Sequence, residues 1–395
     1  MRHERGMLIV GAAAAGLSAA QALRQAGYAG GITLLGGEAE LPYDRPPLSK
    51  HFIGGDWTAD RLSLSGRAEL ESLNVDLRLG VPAVSLDIGR KAVTIQDGSV
   101  FEYGKLLIAT GVRPRRINGL AGLVNVHHLR TIGDACRIKQ AIGPGRRIAI
   151  VGAGFVGTEL AATARQMRAE VVLIEQGAAL AGGRLGAVAG ARLHRLHEDY
   201  GVRMHLGNQR FAPVVRQDRV VALALDSGEA PCDELVVAIG AQPCTDWLAG
   251  NGLDLSNGVR CDAFCRAAPD VYAAGDVACW FHPGYGRMLR IEHRTNATEQ
   301  GAAAARNMLG EMAPYAPLPF FWSDQYDVKI QSFGVLSPGA RQRLLHGDPD
   351  GASFVVGWYE QEQLAGVVGW NAFRSIRQYL PSLDACRQVQ PMAAE

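Results

Sequence analysis

Apolar residues in this chain come in short blocks stopped by glycine. "MLIVGAAAAGLSAAQALRQAG" (7–27) sets Met7–Val10 before Gly11 and an alanine-rich stretch after it. A continuous apolar run of strand length stopped by glycine predicts a buried strand, and the longer alanine-rich stretch predicts a helix. A further block, Ile32–Leu35, predicts a second strand. The same order recurs in mid-chain, in "RIAIVGAGFVGTELAATARQMRAEVVLIEQG" (147–177). There Ile148–Val151 stands where Met7–Val10 does, and Gly152, Gly154 and Gly157 stand where Gly11, Ala13 and Gly16 do. Val171–Ile174 is the second strand of that copy. "LLIATGVRP" (106–114), with Ala109, Thr110 and Gly111, and "LVVAIGAQP" (235–243), with Gly240, each predict a buried strand that ends a unit and leads the chain away. "VYAAGDVA" (271–278) predicts a strand, then Gly275-Asp276, then a helix.

Taken alone, the first block fits a secretory signal behind Arg2 and Arg5, a membrane anchor, or a phosphate-binding loop. Its apolar run, Met7 to Ala20, is shorter than the ~20 residues that span a bilayer. The mid-chain twin cannot be a signal peptide, so both copies are read as one device: strand, glycine turn, helix, strand. The first glycine allows the tight turn, the second lets backbone approach a pyrophosphate, and the third lets helix and strand pack closely. The helix N-terminus, from about Ala15 and Gly16 in the first copy, offers free N–H groups to the phosphates. Ala13 in the middle position narrows the approach without forbidding it. Two such cradles predict an α/β fold with two Rossmann-like domains and two dinucleotides, and FAD with NADH is the usual pair in flavin reductases.

The acid closing the second strand reads the ribose. Glu175 in the second copy accepts hydrogen bonds from a 2′-OH and repels a 2′-phosphate, which argues for NADH over NADPH; Arg184 is placed to reach an adenosine phosphate. The first copy ends "LLGGE", so Gly37 and Glu38 belong to the candidate FAD site. Asp276 would meet the ribityl chain of FAD, or cap a helix, or both.

At 395 residues the chain is long enough for two or three domains. Hydrophobic residues are 48% and charged residues 20%, an ordinary globular composition, and a net charge of +1 gives no global field for nucleic acid. The seven cysteines (Cys136, Cys232, Cys244, Cys261, Cys265, Cys279 and Cys386) are odd in number and scattered, without C-x-x-C. That suits reduced thiols in a cytoplasm better than a disulfide framework, and no metal-ligand spacing is evident around Cys261 and Cys265. No nucleic-acid, membrane or metal role is expected.

"LPYDRPPLSKHFI" (41–53), with the two cradles, resembles the FAD-dependent NADH:ferredoxin reductases of bacterial oxygenase and cytochrome P450 systems and the related rubredoxin reductases. "ATGVRPR", "HLRT", "VYAAGDVA", "NATEQGAAAARNMLG" and "FFWSDQYDVKIQ" extend the resemblance along nearly the whole chain. It implies a glutathione-reductase-like architecture: a split FAD domain near 1–114 and 243–316, an NAD domain near 115–242, and a C-terminal α+β domain from 317 to 395. It also implies that Lys50 lies by the flavin, with Arg45 a weaker candidate, and that Arg130 and Ala83 contact FAD. Glu159 would touch the nicotinamide carboxamide, and Trp322 would lie near the flavin edge. Lys50, Glu159 and Trp322 are thus the candidate catalytic residues. Arg294 departs from the tryptophan common at its position in relatives and would place a charge beside the flavin.

The implied chemistry is hydride transfer from NADH to FAD, then release of single electrons to a [2Fe–2S] ferredoxin that supplies an oxygenase or cytochrome P450. Disulfide reductases share the fold but need a redox cysteine by the flavin, and residues 39–60 contain none. An NADH oxidase or a direct reductase of a small acceptor, held by Arg294 and His293, is the alternative enzyme. A flavoprotein switch resembling apoptosis-inducing factor is the alternative outside catalysis. Arg290, Arg294, Arg306, Arg374 and Arg377 are candidates for docking an acidic ferredoxin, and "WNAFRSIRQYL" reads as an amphipathic helix on the protein's own core. Oligomeric state is left open.

Overall fold

The computed structural model describes residues 6–207 and 210–385; Arg2, Arg5 and Cys386 lie outside them. A six-stranded sheet runs in the order Arg266–Ala268, Val271–Ala273, Lys105–Ile108, Met7–Val10, Ile32–Leu35, Asp76–Arg78. Its central pairs are parallel, with Met7 opposite both Ile32 and Lys105. A five-stranded parallel sheet runs in the order Arg203–Leu206, Glu170–Glu175, Arg147–Val151, Glu234–Val237, Val126–His127. Parallel strands covered on both faces carry no polar side, which explains the unbroken apolar runs. Every residue of Met7–Val10 is buried.

The chain leaves the first sheet and returns to it through a two-stranded ribbon. Val112–Pro114 pairs antiparallel with Ala241–Pro243, and Thr110 Oγ1 donates to Cys244 O at 2.9 Å. A third, antiparallel sheet of five strands follows, in the order Phe320–Gln325, Val328–Gly334, Gln363–Trp370, Phe354–Glu360, Arg341–Gly347. Here alternation is visible: Ser323 and Gln325 are buried while Trp322 and Asp324 between and beside them are partly exposed.

Four helices position the site: α1 (Ala14–Gln25), α2 (Phe155–Gln166), α3 (Gly186–Asp199) and α4 (Arg294–Met308). α1 and α4 cross closely because small residues meet there. A Cβ on Gly301 would fall 2.2 Å from Ala15 O, and Ser18 Oγ donates to Thr298 O at 2.8 Å.

Two elements differ from the sequence reading. The helix expected after Asp276 is only a 3-10 turn, Gly275–Val277, followed by the strand Ala278–His282. The reason is Trp280, which is fully buried and donates from Nε1 to Tyr315 O at 3.0 Å, in a strand paired on both sides. Asp276 therefore lies inside a turn and is not the N-cap of a helix. The C-terminal helix is broken into Phe373–Ile376, a 3-10 turn Arg377–Tyr379, and Leu380–Ala385; its buried residues Ile376 and Leu383 do pack on the chain's own sheet.

Gly301→Val should push α1 and α4 apart and destabilise the FAD-loaded protein by about 1–3 kcal/mol, read as a lower thermal midpoint. Gly190→Ala on α3, where an added Cβ meets nothing within 4 Å, should leave the midpoint unchanged or raised.

Candidate functional site

The two cradles are built alike. Gly11 and Gly152 sit at φ +121° and +101°, open to glycine and costly for other residues. A Cβ on Gly16 would fall 1.9 Å from Gly11 O, and one on Gly157 would fall 1.9 Å from Gly152 O. Helix and turn are therefore in backbone contact. Ala13 and Gly154 are the N-caps of α1 and α2, and neither helix has a side-chain cap. The first-turn N–H groups are left to a ligand. A Cβ on Gly154 would meet nothing within 4 Å, so open space stands in front of α2. Both cradles fit a dinucleotide pyrophosphate, with the Ala13 methyl the one difference at the middle position.

At the lip of the second cradle, Glu175 is aimed by backbone. Oε2 accepts from Ala153 N at 2.7 Å and Oε1 from Gly177 N at 2.8 Å. Gly240, at φ +91°, closes the neighbouring crossover, where Arg115 N donates to its carbonyl at 2.9 Å. Arg184 is exposed, and its charge acts on His293 at the start of α4.

In the first half, separate stretches of sequence converge. Glu38 pairs with Arg45 and accepts from Tyr43 Oη at 2.5 Å. Arg45 Nη1 donates to Arg130 O at 2.7 Å, and Arg130 Nη2 reaches Asp276 Oδ2 at 3.4 Å. Burial pushes the Asp276 carboxyl up, and Arg130 opposes that shift. Gly111 abuts Arg130: a Cβ there would lie 3.0 Å from Nη2. Ala109 N donates to Val10 O at 2.8 Å beside Gly11, and Gly275 N donates to Gln300 Oε1 at 2.9 Å, facing Ala15. Ala83 follows Pro82, which lies beside the exposed Gly37.

Three separate parts of the chain meet at Glu159: the loop after the first cradle, helix α2 and the third sheet. Its Oε1 lies 3.0 Å from Lys50 Nζ and accepts from Ser323 Oγ at 2.6 Å; its Oε2 accepts from Ser49 Oγ at 2.5 Å. Asp324 Oδ2 is 3.7 Å from Lys50 Nζ. The Lys50 and Glu159 side chains are 10% and 8% exposed, so this is a largely buried ion pair whose spare acceptors are satisfied. Lys50 follows the 3-10 turn Pro46–Ser49. Beside this junction, Phe155, Phe321 and His293 form an aromatic run, with centroids 4.8 Å and 5.1 Å apart. His293 Nδ1 is buried without a hydrogen-bond partner.

The remaining candidates are placed differently from one another. Trp322 is partly exposed and stacks on Phe320, on the strand face opposite Ser323. Arg294 pairs with Asp44 at 2.6 Å and donates to Thr298 Oγ1, so its charge is already compensated. Among the docking arginines, Arg290 pairs with Glu292, Arg306 with Glu311, and Arg377 lies over the Phe373 ring. Sequence reading missed Tyr43, Asp44, Ser49, Ser323 and Gln325. The signals were present: three fall inside "LPYDRPPLSK", and Ser323 and Gln325 are alternate polar positions in "FFWSDQ".

Residues 6–301 match the pyridine nucleotide-disulphide oxidoreductase family, and residues 320–395 match a reductase C-terminal domain. The chain belongs to the pyridine nucleotide-disulphide oxidoreductase family. It is similar to the ferredoxin–NAD(+) reductase component of the anthranilate 1,2-dioxygenase system of Burkholderia cepacia, at 38% identity over 352 residues, 88% of this chain and 86% of that protein. Its structure resembles putidaredoxin reductase in a covalent complex with putidaredoxin, with a TM-score of 0.90 and 29% identity over 98% of this chain and 93% of that one. It also resembles the ferredoxin reductase for the CYP199A2 system of Rhodopseudomonas palustris, with a TM-score of 0.91 and 32% identity over 96% of this chain and 95% of that one. The cofactors of such an oxidoreductase, FAD and NADH, are the ones the two cradles fit. Despite the family's name, no cysteine stands in the junction of Ser49, Lys50, Glu159, Ser323 and Asp324, and the described cysteines are free thiols.

Glu175→Ala should narrow the NADH-over-NADPH ratio of kcat/KM by about tenfold or more, since a charge-assisted hydrogen bond is lost and a repulsion relieved. An unchanged ratio would remove Glu175 from ribose recognition. A second expectation concerns pH. Burial holds both His197, on α3, and His293 at about 4, below their ordinary 6.5. Depressed folded values mean stability is fully present above 6.5 and is lost as pH falls toward about 4. For the fully buried His197 the loss is roughly 3 kcal/mol. Denaturant unfolding across that window should show the decline, and His197→Gln should shallow it.

Proposed function

We propose that this protein is an NADH-dependent flavoprotein reductase that passes electrons from NADH through FAD to a [2Fe–2S] ferredoxin serving an oxygenase or cytochrome P450. The observation that carries this is the junction at Glu159. It joins the two cradles and the third sheet around a buried Lys50–Glu159 pair and holds no thiol, so electrons leave for an external acceptor.

The residues divide the work. The turns at Gly11 and Gly152 present backbone N–H groups to the two pyrophosphates. Glu175 accepts from the NADH ribose. Arg130 and Asp276 frame the FAD chain, with Arg45 and Glu38 bracing Arg130. Lys50 Nζ keeps a positive charge at the flavin side, and Glu159 orients the nicotinamide. Trp322 covers the outer edge. Bound FAD supplies the hydride acceptor and the single-electron donor. The Arg294–Asp44 pair speaks for a structural role of Arg294 and against a guanidinium waiting for a small anionic substrate.

We assign residues 1–114 and 243–316 to a split FAD domain, 115–242 to the NAD domain and 317–395 to the C-terminal domain. The ribbon of Val112–Pro114 with Ala241–Pro243 supports the first two boundaries. Free thiols support a cytoplasmic location. Among the described residues, no helix is long and apolar enough to cross a membrane.

NADH-driven cytochrome c reduction by the FAD-loaded protein should rise by at least about tenfold when a bacterial [2Fe–2S] ferredoxin is added. Rapid flavin bleaching by NADH without stimulation by any ferredoxin of a panel would overturn the assignment in favour of a direct acceptor.

A further inference from the structure

The donors that converge on Glu159 are the end of a longer chain. On α3, His197 is fully buried. Its Nε2 lies 2.9 Å from Gln325 Oε1, and its Nδ1 lies 3.3 Å from Tyr326 Oη. Gln325 Nε2 donates to Thr158 Oγ1 at 3.0 Å and to Ser323 Oγ at 3.1 Å. Ser323 Oγ then donates to Glu159 Oε1 at 2.6 Å. Thr158, Ser323 and Gln325 are each at most 1% exposed, so water does not compete for these bonds.

Chemistry fixes the direction of every link. A carboxylate only accepts, so the Ser323 hydroxyl donates to Glu159 and takes its own hydrogen bond from Gln325 Nε2. The Thr158 hydroxyl donates to Gly154 O, 3.1 Å away, and likewise accepts from Gln325. With its nitrogen committed, Gln325 turns its oxygen to His197. His197 must then carry hydrogen on Nε2 and accept from the Tyr326 hydroxyl on Nδ1. The negative charge at Glu159 thus selects one histidine tautomer on another helix. Gln325 links two functional elements at once: through Ser323 it reaches Glu159, and through Thr158 the Gly154 turn of the NADH cradle.

The hairpin turn fixes the last member of this chain in place. Tyr326 occupies the hairpin turn after Gln325 at φ +56°, a region bulky residues rarely adopt. Its ring is clamped against Tyr200, with centroids 3.7 Å apart and planes 12° apart, and edge-on to His197 at 5.4 Å. The charged or titratable neighbours of His197 are His194 on its own helix and Tyr326; Arg165 on α2 acts on Tyr326 from the other side.

We infer that His197 and Gln325 are positioning residues for hydride transfer: their one-way donor chain fixes the Glu159 carboxylate and the Gly154 turn relative to each other, and so sets how the NADH nicotinamide is presented. The inference rests on the reading that Glu159 meets the nicotinamide. Neither residue needs to touch NADH. Each acts through Ser323 and Thr158.

The test is stopped-flow reduction of the FAD-loaded protein by NADH. Gln325→Met keeps the length of the side chain and removes its polarity. It should lower the limiting rate of flavin reduction about tenfold, as expected for a misplaced reactant, with NADH affinity changed far less. In a Glu159→Gln background the same change should have little further effect, because the two act as one unit. His197→Leu should slow reduction in parallel, and His197→Gln, whose amide nitrogen replaces Nε2, should restore it; this pair carries the test if Gln325→Met does not fold. A readout independent of turnover is histidine nitrogen NMR, in which His197 should be the neutral Nε2–H tautomer at neutral pH. A charged His197 or an Nδ1–H tautomer overturns the chain. If Glu159→Gln slows reduction and the Gln325 and His197 variants do not, the relay fails while the reading of Glu159 stands. If Glu159→Gln itself reduces at the wild-type rate, the reading of Glu159 fails and the relay with it. A Gln325→Met effect undiminished in the Glu159→Gln background marks ordinary packing and overturns the inference.

Discussion

One buried carboxylate organises this molecule. Glu159 sits on the helix of the second cradle, yet its partners come from the loop after the first cradle and from the third sheet. An unpaired charge at that depth would cost several kcal/mol, so the partners from the other two units matter to its stability. Thr163 Oγ1 adds a further tie from the same helix to Ser49 O at 2.8 Å. The ion pair gains little on its own. In this docking, both oxygens of the Glu159 carboxylate are satisfied by partners from the other two units.

The two halves repeat a backbone and diverge in side chains. The turns at Gly11 and Gly152 share their geometry to within a few tenths of an ångström in the contacts that force glycine at Gly16 and Gly157. Around that frame the acids have separated in role. The Glu175 carboxylate accepts from two backbone N–H groups at the lip of the second cradle. Glu38 is consumed by Arg45 and Tyr43 and acts as a brace. One fold has become two sites because the frame is fixed by backbone contact and the lips are free to vary.

Much of this was readable in order along the chain. The cradle glycines announce themselves because a steric demand on backbone leaves only one residue type. Parallel strands announce themselves because burial on both faces leaves no polar position. Lys50, Glu159 and Trp322 were drawn from resemblance, and the structure brings the first two into contact and leaves Trp322 on the outer face of its strand. The helix expected after Asp276 failed because a single buried tryptophan, Trp280, found partners on both sides and held the segment extended. Arg294 read as a free charge because its partner, Asp44, lies far away in sequence.

The sequence by itself determined what is local: two strand–turn–helix cradles, the acid that closes the second strand of each, and the lack of a cysteine where a disulfide reductase needs one. These follow from sterics and chemistry acting within a few residues. Tertiary structure decided which charges are spent and which remain available. It spent Arg294 and Lys50 on partners from distant segments, and it joined His197, Gln325 and Ser323 into a line of donors ending on Glu159. Hydrogen bonds and ion pairs depend on distance in space, and a linear order of residues carries no such distance until the sheets have docked.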